Sequence, residues 1–329
     1  MLVLLGYSLL GLVVLTLLGW SALALHFHAV GPRAVRDALA VLALVLPLMV
    51  GVVSESWTGA IVTAALVFLL ALARYLSIKP QQQANWQPTV ARLAHTELTG
   101  ELLTVHNVRN FEYRSRSDYT PRWETRVYDL SKLTGLDMFF SQWSSPAIVH
   151  TILSWSFSDG KHLAISIEAR YRAGQRYSAV GGFFRQFPIY YVVADERDVI
   201  RLRTNYRREQ VWLYRLQTPE SVPRSLLLEY VKHVNRLAQR PRWYNALTDN
   251  CTTAIRAHVH QLSPGRFPWS WRLIMNGHLP ELLYEQGRLD QSLPFSQLRE
   301  VSKINARAEA ADREDFSRAI RTGLPDGVS

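Results

Sequence analysis

The sequence predicts an α+β protein in which a bundle of about three transmembrane helices precedes a domain with an antiparallel sheet and a cysteine-bearing helix. Three observations predict this class. Long uncharged runs fill the first quarter of the 329-residue chain, alternating apolar and polar segments follow, and amphipathic helical segments come last. The expected organisation is transmembrane helices in 1–78, a linker in 79–90 and a soluble domain in 91–329.

The transmembrane helices are predicted from three apolar runs. Leu2 to Leu25 carries no charged residue and is long enough to cross about 30 Å of hydrocarbon. Ala38 to Val53, interrupted by Pro47, and Ser56 to Ala73 are the second and third runs. Three such runs in succession favour membrane helices over a buried helical hairpin in a soluble core. The first run lacks a basic n-region and exceeds the usual h-region, which favours a retained anchor over a cleaved signal peptide.

The charges beside these runs predict an orientation of the helices in the membrane. Arg33 and Arg36 lie between the first two runs, and Glu55 lies between the second and third. By the positive-inside rule the first loop is cytoplasmic, and three spans would then put the large C-terminal domain in the cytoplasm as well.

Composition limits the partners of the soluble domain. The net charge of +10 suits a domain next to anionic lipid headgroups. No basic, aromatic-interleaved recognition motif is present in the sequence, so nucleic acid is not expected as a partner. The sequence has no HExxH, no metal-ligand spacing around its single cysteine and no Gly-rich phosphate loop, so we expect no metal and no cofactor.

The sequence of the soluble domain predicts strands followed by helices. A polar linker, Lys79 to Pro88, leads into it, and Pro223 to Arg240 has the apolar stripe of an amphipathic helix. A charged, exposed helix is expected at Ala306 to Thr322. The remaining predicted elements are strands at Leu102 to Tyr113, Trp123 to Leu130, Ile189 to Ala194 and Val199 to Tyr214, and a turn or short helix at Ser131 to Gly135.

The clearest element is a β-hairpin. Ala147 to Phe157 and Lys161 to Arg170 flank Ser158-Asp159-Gly160, a three-residue loop with glycine where a left-handed residue is needed. In that register Phe157 faces Lys161, Leu153 faces Ile165 and His150 faces Glu168. Directly opposed residues have Cβ atoms about 5 Å apart on one face of the sheet. A two-residue turn would instead place Glu168 on the other face.

The single cysteine, Cys251, is the candidate nucleophile. Asp249 and Asn250 are strong N-cap residues, and the segment after the cysteine can continue as a helix. The sulfur therefore lies at or just inside a helix N-terminus, where unpaired N–H groups and the helix dipole favour a thiolate.

A catalytic cysteine also needs an imidazole within reach, oriented by a third polar group. His150 interrupts an apolar strand, and Glu168, the only carboxylate of the return strand, could hold its second nitrogen. His162 belongs to the turn end and is expected to be exposed, and His233 is expected to be solvated. The other histidines considered are His106 and His278, which have no obvious polar partner, and His258 and His260, too far along the cysteine helix.

Other polar residues are candidates for binding. The amides of Asn250 and Asn245 could donate to an oxyanion together with the backbone N–H of Cys251, whereas a plain N-cap is the alternative for Asn250. Tyr244 and Asn245 are assigned to substrate binding, with core packing as the alternative for the tyrosine. The run Asp195-Glu196-Arg197-Asp198 reads as a solvated loop or, with Arg201 and Arg203, as a site for a lipid headgroup.

Three blocks of the chain resemble the bacterial family named for the N-terminal periplasmic domain of Lnb. They are VRNFEYRSRSDYTPRWETRVYDLSKLTGLDMFFSQWSSPAIVHTILSWSFSDGKHLAISIEAR, YYVVADERDVIRLRTNYR and WYNALTDNCTT, within roughly Asn107 to Thr253. Lnb is a lipoprotein acyltransferase that moves an acyl chain from the glyceryl group to the amino group of the N-terminal cysteine. The resemblance therefore implies acyl-transfer chemistry and a domain outside the cytoplasm, and we follow it over the weak charge signal.

The wider likeness is to permuted papain-like thiol enzymes of the NlpC-like and lecithin:retinol acyltransferase-like group. In these enzymes the histidine strand precedes the cysteine helix, as His150 precedes Cys251. One departure concerns the membrane helices, which precede the domain here and follow it in the name-giving enzyme. Membership therefore does not fix the substrate.

Together these observations predict a thiol acyltransferase or hydrolase in the inner membrane, multi-pass, with its catalytic domain on the periplasmic side. Its expected partners are a lipid or lipoprotein substrate and the membrane. Cys251 would attack an ester carbonyl, His150 would transfer protons and Glu168 would orient His150. A cysteine peptidase or amidase acting on cell-wall peptides and a non-enzymatic membrane scaffold are the alternatives. An apolar channel beside Cys251 would favour acyl transfer, and an open polar groove would favour peptides.

Overall fold

The computed structural model describes residues 2–262 and 268–325 and divides the chain into two compact units. The first comprises Met1–Pro80 and Ser178–Gln186, and the second comprises Gln81–Tyr177 and Phe187–Ser329.

Three long helices form the first unit: α1 (Leu2–His28), α2 (Arg33–Val53) and α3 (Trp57–Ser77). All three are long and apolar enough to cross a membrane. The α3 helix begins where the Ser56 hydroxyl accepts a hydrogen bond from the N–H of Gly59. Apolar side chains cover most of their outer surface, as expected for helices whose solvent is lipid.

The segment 178–186 also belongs to the first unit, although it lies in sequence between two strands of the second. It contains the short helix α4 (Ala179–Phe183). Phe184 packs in a cluster with Ala24 and Ala71, and the Arg185 guanidinium lies 4.2 Å from the centre of the Tyr75 ring. Sequence patterning gave no sign of this insertion.

An eight-stranded sheet forms the centre of the second unit, with strand order β1-β2-β9-β8-β7-β6-β10 and β5 paired to β2. Its pairs are antiparallel except for a parallel bridge between β2 and β9. The strands of this sheet are β1 (His95–Thr99), β2 (Leu102–Arg109), β5 (Trp123–Asp129), β6 (Leu133–Gln142), β7 (His150–Phe157), β8 (His162–Ala169), β9 (Ile189–Ala194) and β10 (Gln210–Arg215). A separate ribbon pairs β3 (Glu112–Tyr113) with β4 (Tyr119–Thr120).

Helices cover both faces of this sheet. On one face, α6 (Ser221–Gln239) and α7 (Cys251–Leu262) pack on a core that includes Leu153 and Trp155. On the other face, Ile152 packs with the C-terminal segments. The other helices are α5 (Glu196–Val199), α8 (Leu279–Glu285), α9 (Phe295–Ser302), α10 (Asn305–Ala310) and α11 (Phe316–Ala319). Three apolar N-terminal helices followed by a mixed α and β domain confirm the predicted α+β class.

Two predicted elements differ from the structure. The strand predicted at Val199 to Tyr214 is wrong over its first half, because the Asp195 side chain caps α5 and a π-helical turn follows at Leu202–Tyr206. The terminal helix predicted at Ala306 to Thr322 is divided into α10 and α11, and one side of the segment is packed rather than exposed, since Phe316 and Ile320 are fully buried. The strand β6 was not predicted at all.

The acidic run at Asp195 to Asp198 was read as a solvated loop, and that reading is wrong. Asp198 is paired with Arg109 at 2.8 Å, and Glu196 with Arg321 at 2.6 Å. All three carboxylates of the run are buried. Guanidinium partners offset the cost of removing these carboxylates from water, so the run holds the C-terminal segment against the sheet.

Candidate active site

The hairpin of β7 and β8 adopts the register predicted from the sequence. Leu153 is paired with Ile165 and Ser156 with His162, and Gly160 has a φ of +78° in the loop. Because side chains alternate along a strand, this register puts His150 and Glu168 on the same face. Nε2 of His150 lies 3.5 Å from Oε1 of Glu168.

A serine that sequence reasoning missed links these two side chains. The Ser166 hydroxyl donates to Oε1 of Glu168 at 2.7 Å and lies 2.6 Å from Nε2 of His150. Since the hydroxyl has one proton and gives it to the carboxylate, it accepts the Nε2 proton of His150. Nδ1 is then the nitrogen that can exchange a proton with the cysteine. The i, i+2 spacing of Ser166 and Glu168 on one strand was the sequence signal that could have indicated this contact.

Arg203 fixes the carboxylate from the other side. Its guanidinium lies 3.0 Å from Oε1 of Glu168 and donates to the carbonyl of Val199 at 3.0 Å. Burial alone would raise the pKa of Glu168, but the hydrogen bond to His150 and the charge of Arg203 hold it well below its usual range. Arg203 is itself buried. We therefore reassign it from headgroup binding to the positioning of Glu168.

Cys251 is the first residue of α7, as the cap pattern predicted. Asn250 is the N-cap: its Oδ1 accepts from the N–H groups of Thr252 and Thr253, both at 2.9 Å. Its Nδ2 donates to the carbonyl of Ala246 at 2.9 Å. The geometry thus corresponds to the capping alternative for Asn250, and the oxyanion role stays a prediction.

Cys251 and His150 are close enough to change each other's pKa. Burial raises the pKa of the Cys251 thiol, but the charge of His150, a hydrogen bond to it and the backbone of Thr151 together lower the pKa to about 7. Burial lowers the pKa of His150, but the Cys251 thiolate and the hydrogen bond to Glu168 raise it to about 9. Between these values the pair is a thiolate and an imidazolium, the reactive form of a thiol nucleophile.

A second residue that sequence reasoning missed, Asn276, joins the two elements that carry this pair. Its side chain accepts from the N–H of Val149 at 2.8 Å and donates to the carbonyl of the same residue at 2.7 Å. It also donates to the Thr252 hydroxyl at 2.6 Å. Val149 and Thr252 are the neighbours of His150 and Cys251 in the chain, so this buried amide holds the strand and the helix in register.

The next residue, Gly277, permits this close approach. A Cβ atom there would lie 1.8 Å from the carbonyl oxygen of Pro146. Its N–H donates to the carbonyl of Ala147 at 3.0 Å. Only glycine fits this contact, which brings Asn276 against the start of β7.

The remaining predicted binding residues have different surroundings. Tyr244 is buried, and burial, followed by the charge of Cys251, raises its pKa. The Asn245 side chain accepts from the N–H groups of Leu247 and Thr248 and thereby forms the turn before α7. Arg201 is half-buried beside the π-helical turn.

Two histidines differ from their predicted exposure. His162 is half-buried, with Nδ1 3.1 Å from the Ser156 hydroxyl. His233 was expected to be solvated, but it is buried between α6 and α7 beside His258. The charged flanks of α6 in the sequence concealed that this side chain faces another helix.

An apolar cavity of about 310 Å³ opens beside the cysteine helix. Thr252 and Ile255 of α7 line one side, and side chains of β6, α6 and α8 line the others. The apolar lining includes Leu136, Met138, Leu153, Leu226 and Leu283. Its volume is at the lower end of the range of small-molecule sites.

Residues 119–277 match the family model of the Lnb N-terminal periplasmic domain. The match spans the hairpin, Cys251 and Asn276 and confirms the resemblance that the sequence shows. No curated protein and no solved structure matches the chain.

The family match and the three apolar helices define a membrane protein with a periplasmic domain. The cytoplasmic placement suggested by Arg33 and Arg36 is therefore corrected. Two arginines against one carboxylate carry too little charge difference to determine the orientation of three helices.

Proposed function

We propose that this protein is a multi-pass inner-membrane cysteine acyltransferase or hydrolase that acts on lipids or lipoproteins at the periplasmic face. The apolar cavity supports an acylated substrate. It is lined by Thr252, the residue next to the nucleophile, and by Ile255 one turn further along α7. An alkyl chain bound there gains from burial against leucine side chains, whereas a polar peptide would lose hydrogen bonds.

The reaction begins with the thiolate of Cys251. It attacks the carbonyl carbon of an ester, and the oxyanion forms near the N-terminus of α7, where the helix dipole favours negative charge. When the carbon–oxygen bond breaks, His150 gives its Nδ1 proton to the leaving alkoxide, and an acyl thioester remains on Cys251.

The second half restores the enzyme. An amine or a water molecule attacks the thioester carbonyl, and neutral His150 takes the proton that the nucleophile loses. The carbon–sulfur bond breaks and Cys251 leaves as a thiolate. Glu168, held by Arg203 and Ser166, keeps the imidazole oriented through both steps.

Mass spectrometry of Cys251 tests the class of reaction. Purified full-length protein is incubated with a diacylated lipoprotein, quenched in acid, and its Cys251 peptide is analysed before and after hydroxylamine treatment. We expect a hydroxylamine-sensitive fatty-acyl adduct in the wild type and none in Cys251→Ala. Cleavage of a cell-wall peptide without any acyl adduct would instead support the peptidase alternative.

A cavity variant tests the assigned substrate. Ser225 lines the cavity, so Ser225→Trp should fill part of it. We expect hydrolysis of a palmitoyl ester to fall about 10-fold or more while hydrolysis of an acetyl ester is kept, since each buried methylene contributes about 0.8 kcal/mol. Arg224→Trp is the control, because Arg224 precedes Ser225 on α6 but pairs with Glu101. An equal loss for both esters in Ser225→Trp would contradict acyl binding in this cavity.

A further inference from the structure

A cluster of metal-ligating side chains lies between α6 and α7. Glu229 and His233 are one turn apart on α6, and His258 is on α7. Each offers one ligand atom, and these atoms all lie within 4.8 Å of one another. The three residues, which we call the Glu–His–His cluster, are 9%, 7% and 2% exposed. His258 is about two helical turns from Cys251, so this cluster is separate from the candidate active site.

One atom of the cluster has no partner. Nδ1 of His258 is buried and makes no hydrogen bond with any residue that the structure describes. Its ring lies edge-on to that of His233, with 4.3 Å between the centroids. A buried nitrogen left without a partner is unfavourable in a folded protein, and a bound cation would satisfy it.

In each of the two histidines, the ring nitrogen that would not bind the ion has the kind of partner that a metal-bound histidine requires. Nδ1 of His233 donates to the carbonyl of Glu229 at 3.1 Å, which leaves the lone pair on Nε2. Nε2 of His258 lies 2.7 Å from the Tyr191 hydroxyl, and by donating there it leaves the lone pair on Nδ1. Histidines that ligate metals commonly donate their second N–H to such an outer group, which fixes the ring orientation.

We propose that Glu229, His233 and His258 bind a divalent transition-metal ion of the Zn²⁺ type. Two imidazoles and one carboxylate form a recurrent zinc ligand set, and a fourth position remains for water. Nζ of Lys232 lies 3.5 Å from Oε2 of Glu229, and Oε1 of Glu229 lies 3.3 Å from Nδ1 of His233, within the cluster. An ion bound here ties α6 to α7, and it thereby stabilises the helix that begins at Cys251.

Zinc binding by the full-length protein in detergent micelles tests this proposal. The measurements use a Cys251→Ala background, because a thiolate also binds zinc. After equilibration with ZnCl₂ and removal of unbound ion, elemental analysis should find one zinc per chain, and the melting temperature should rise with zinc. Both effects should disappear in His258→Gln and persist in His260→Gln, since His260 is exposed on the same helix.

A second variant keeps the test decisive if His258→Gln does not fold. Tyr191→Phe keeps the aromatic ring and removes the hydroxyl that orients His258, and zinc affinity should fall about 10–100-fold. The absence of bound zinc in the parent protein would overturn the proposal. Equal zinc affinity in the parent, His258→Gln and Tyr191→Phe would overturn it as well.

Discussion

Replacing His150 with glutamine should remove the group that makes Cys251 reactive. The charge of His150 and a hydrogen bond to it act against burial and bring the pKa of Cys251 from 9.0 to about 7. Glutamine keeps an amide of similar size near Ser166 but carries no charge. Burial then dominates, and the pKa of the thiol should return to 9.0 or above.

The size of the effect follows from this shift. Lowering the pKa of the Cys251 thiol from 9.0 to about 7 corresponds to about 2.7 kcal/mol of preferential stabilisation of the thiolate. At pH 7 the thiolate fraction would drop from about one half to about 1%, a change of about 50-fold. A thiolate of higher pKa is intrinsically more nucleophilic, so the alkylation rate at pH 7 should fall by less than this fraction.

The assay is the rate of iodoacetamide alkylation of Cys251, measured between pH 5 and 10. Because the chain has a single cysteine, the modified thiol is unambiguous. We expect an inflection at about pH 7 in the wild type and at or above the unperturbed value of 9.0 in His150→Gln. His260→Gln, exposed on the same helix, should keep the wild-type inflection. An inflection that stays near pH 7 in His150→Gln would refute the ion pair.

Three further predictions concern the same pair. Ester turnover should rise with pH through about 7 as the thiol loses its proton and fall through about 9 as the imidazolium loses its own, which a pH–rate profile measures. Ser166→Ala should lower kcat/KM by about 10-fold or more, since it removes a hydrogen bond to a charged group, and Ser166→Thr should restore part of the loss. Asn276→Ala should lower the free energy of unfolding by about 1–3 kcal/mol, measured by urea titration, because it leaves buried backbone groups unpaired. Unchanged turnover or unchanged stability in these variants would contradict the assigned contacts.

The hairpin and the cysteine cap were predictable because both depend on local chemistry. Gly160 in the loop sets the register of β7 and β8, and that register alone places His150 beside Glu168. Asn250 before Cys251 likewise determines where α7 begins. Such features require only a few consecutive residues, and alternation or capping makes them visible in one sequence.

The groups that support the pair were not predictable by the same means. Asn276 contacts Val149 across 127 positions, and Arg203 contacts Glu168 across 35. The sequence shows only that such residues are polar. The hydrogen-bond partner of each one is distant in the chain and becomes a neighbour only in the folded structure. The burial of the acidic run from Asp195 was missed for the same reason: a run of carboxylates looks solvated until its arginine partners are known.

Four charges of alternating sign follow one another through the candidate site. The Arg203 guanidinium contacts Glu168, Glu168 holds His150 directly and through Ser166, and His150 faces Cys251. In a low-dielectric interior each charge stabilises its neighbours, so removing any one of them would leave another uncompensated. The pKa of Glu168 lies well below its usual range and that of His150 is raised to about 9, so the proton resides on the imidazole. The carboxylate can therefore orient and stabilise the imidazolium without taking its proton, as the proposed transfer of that proton from His150 to a leaving group requires.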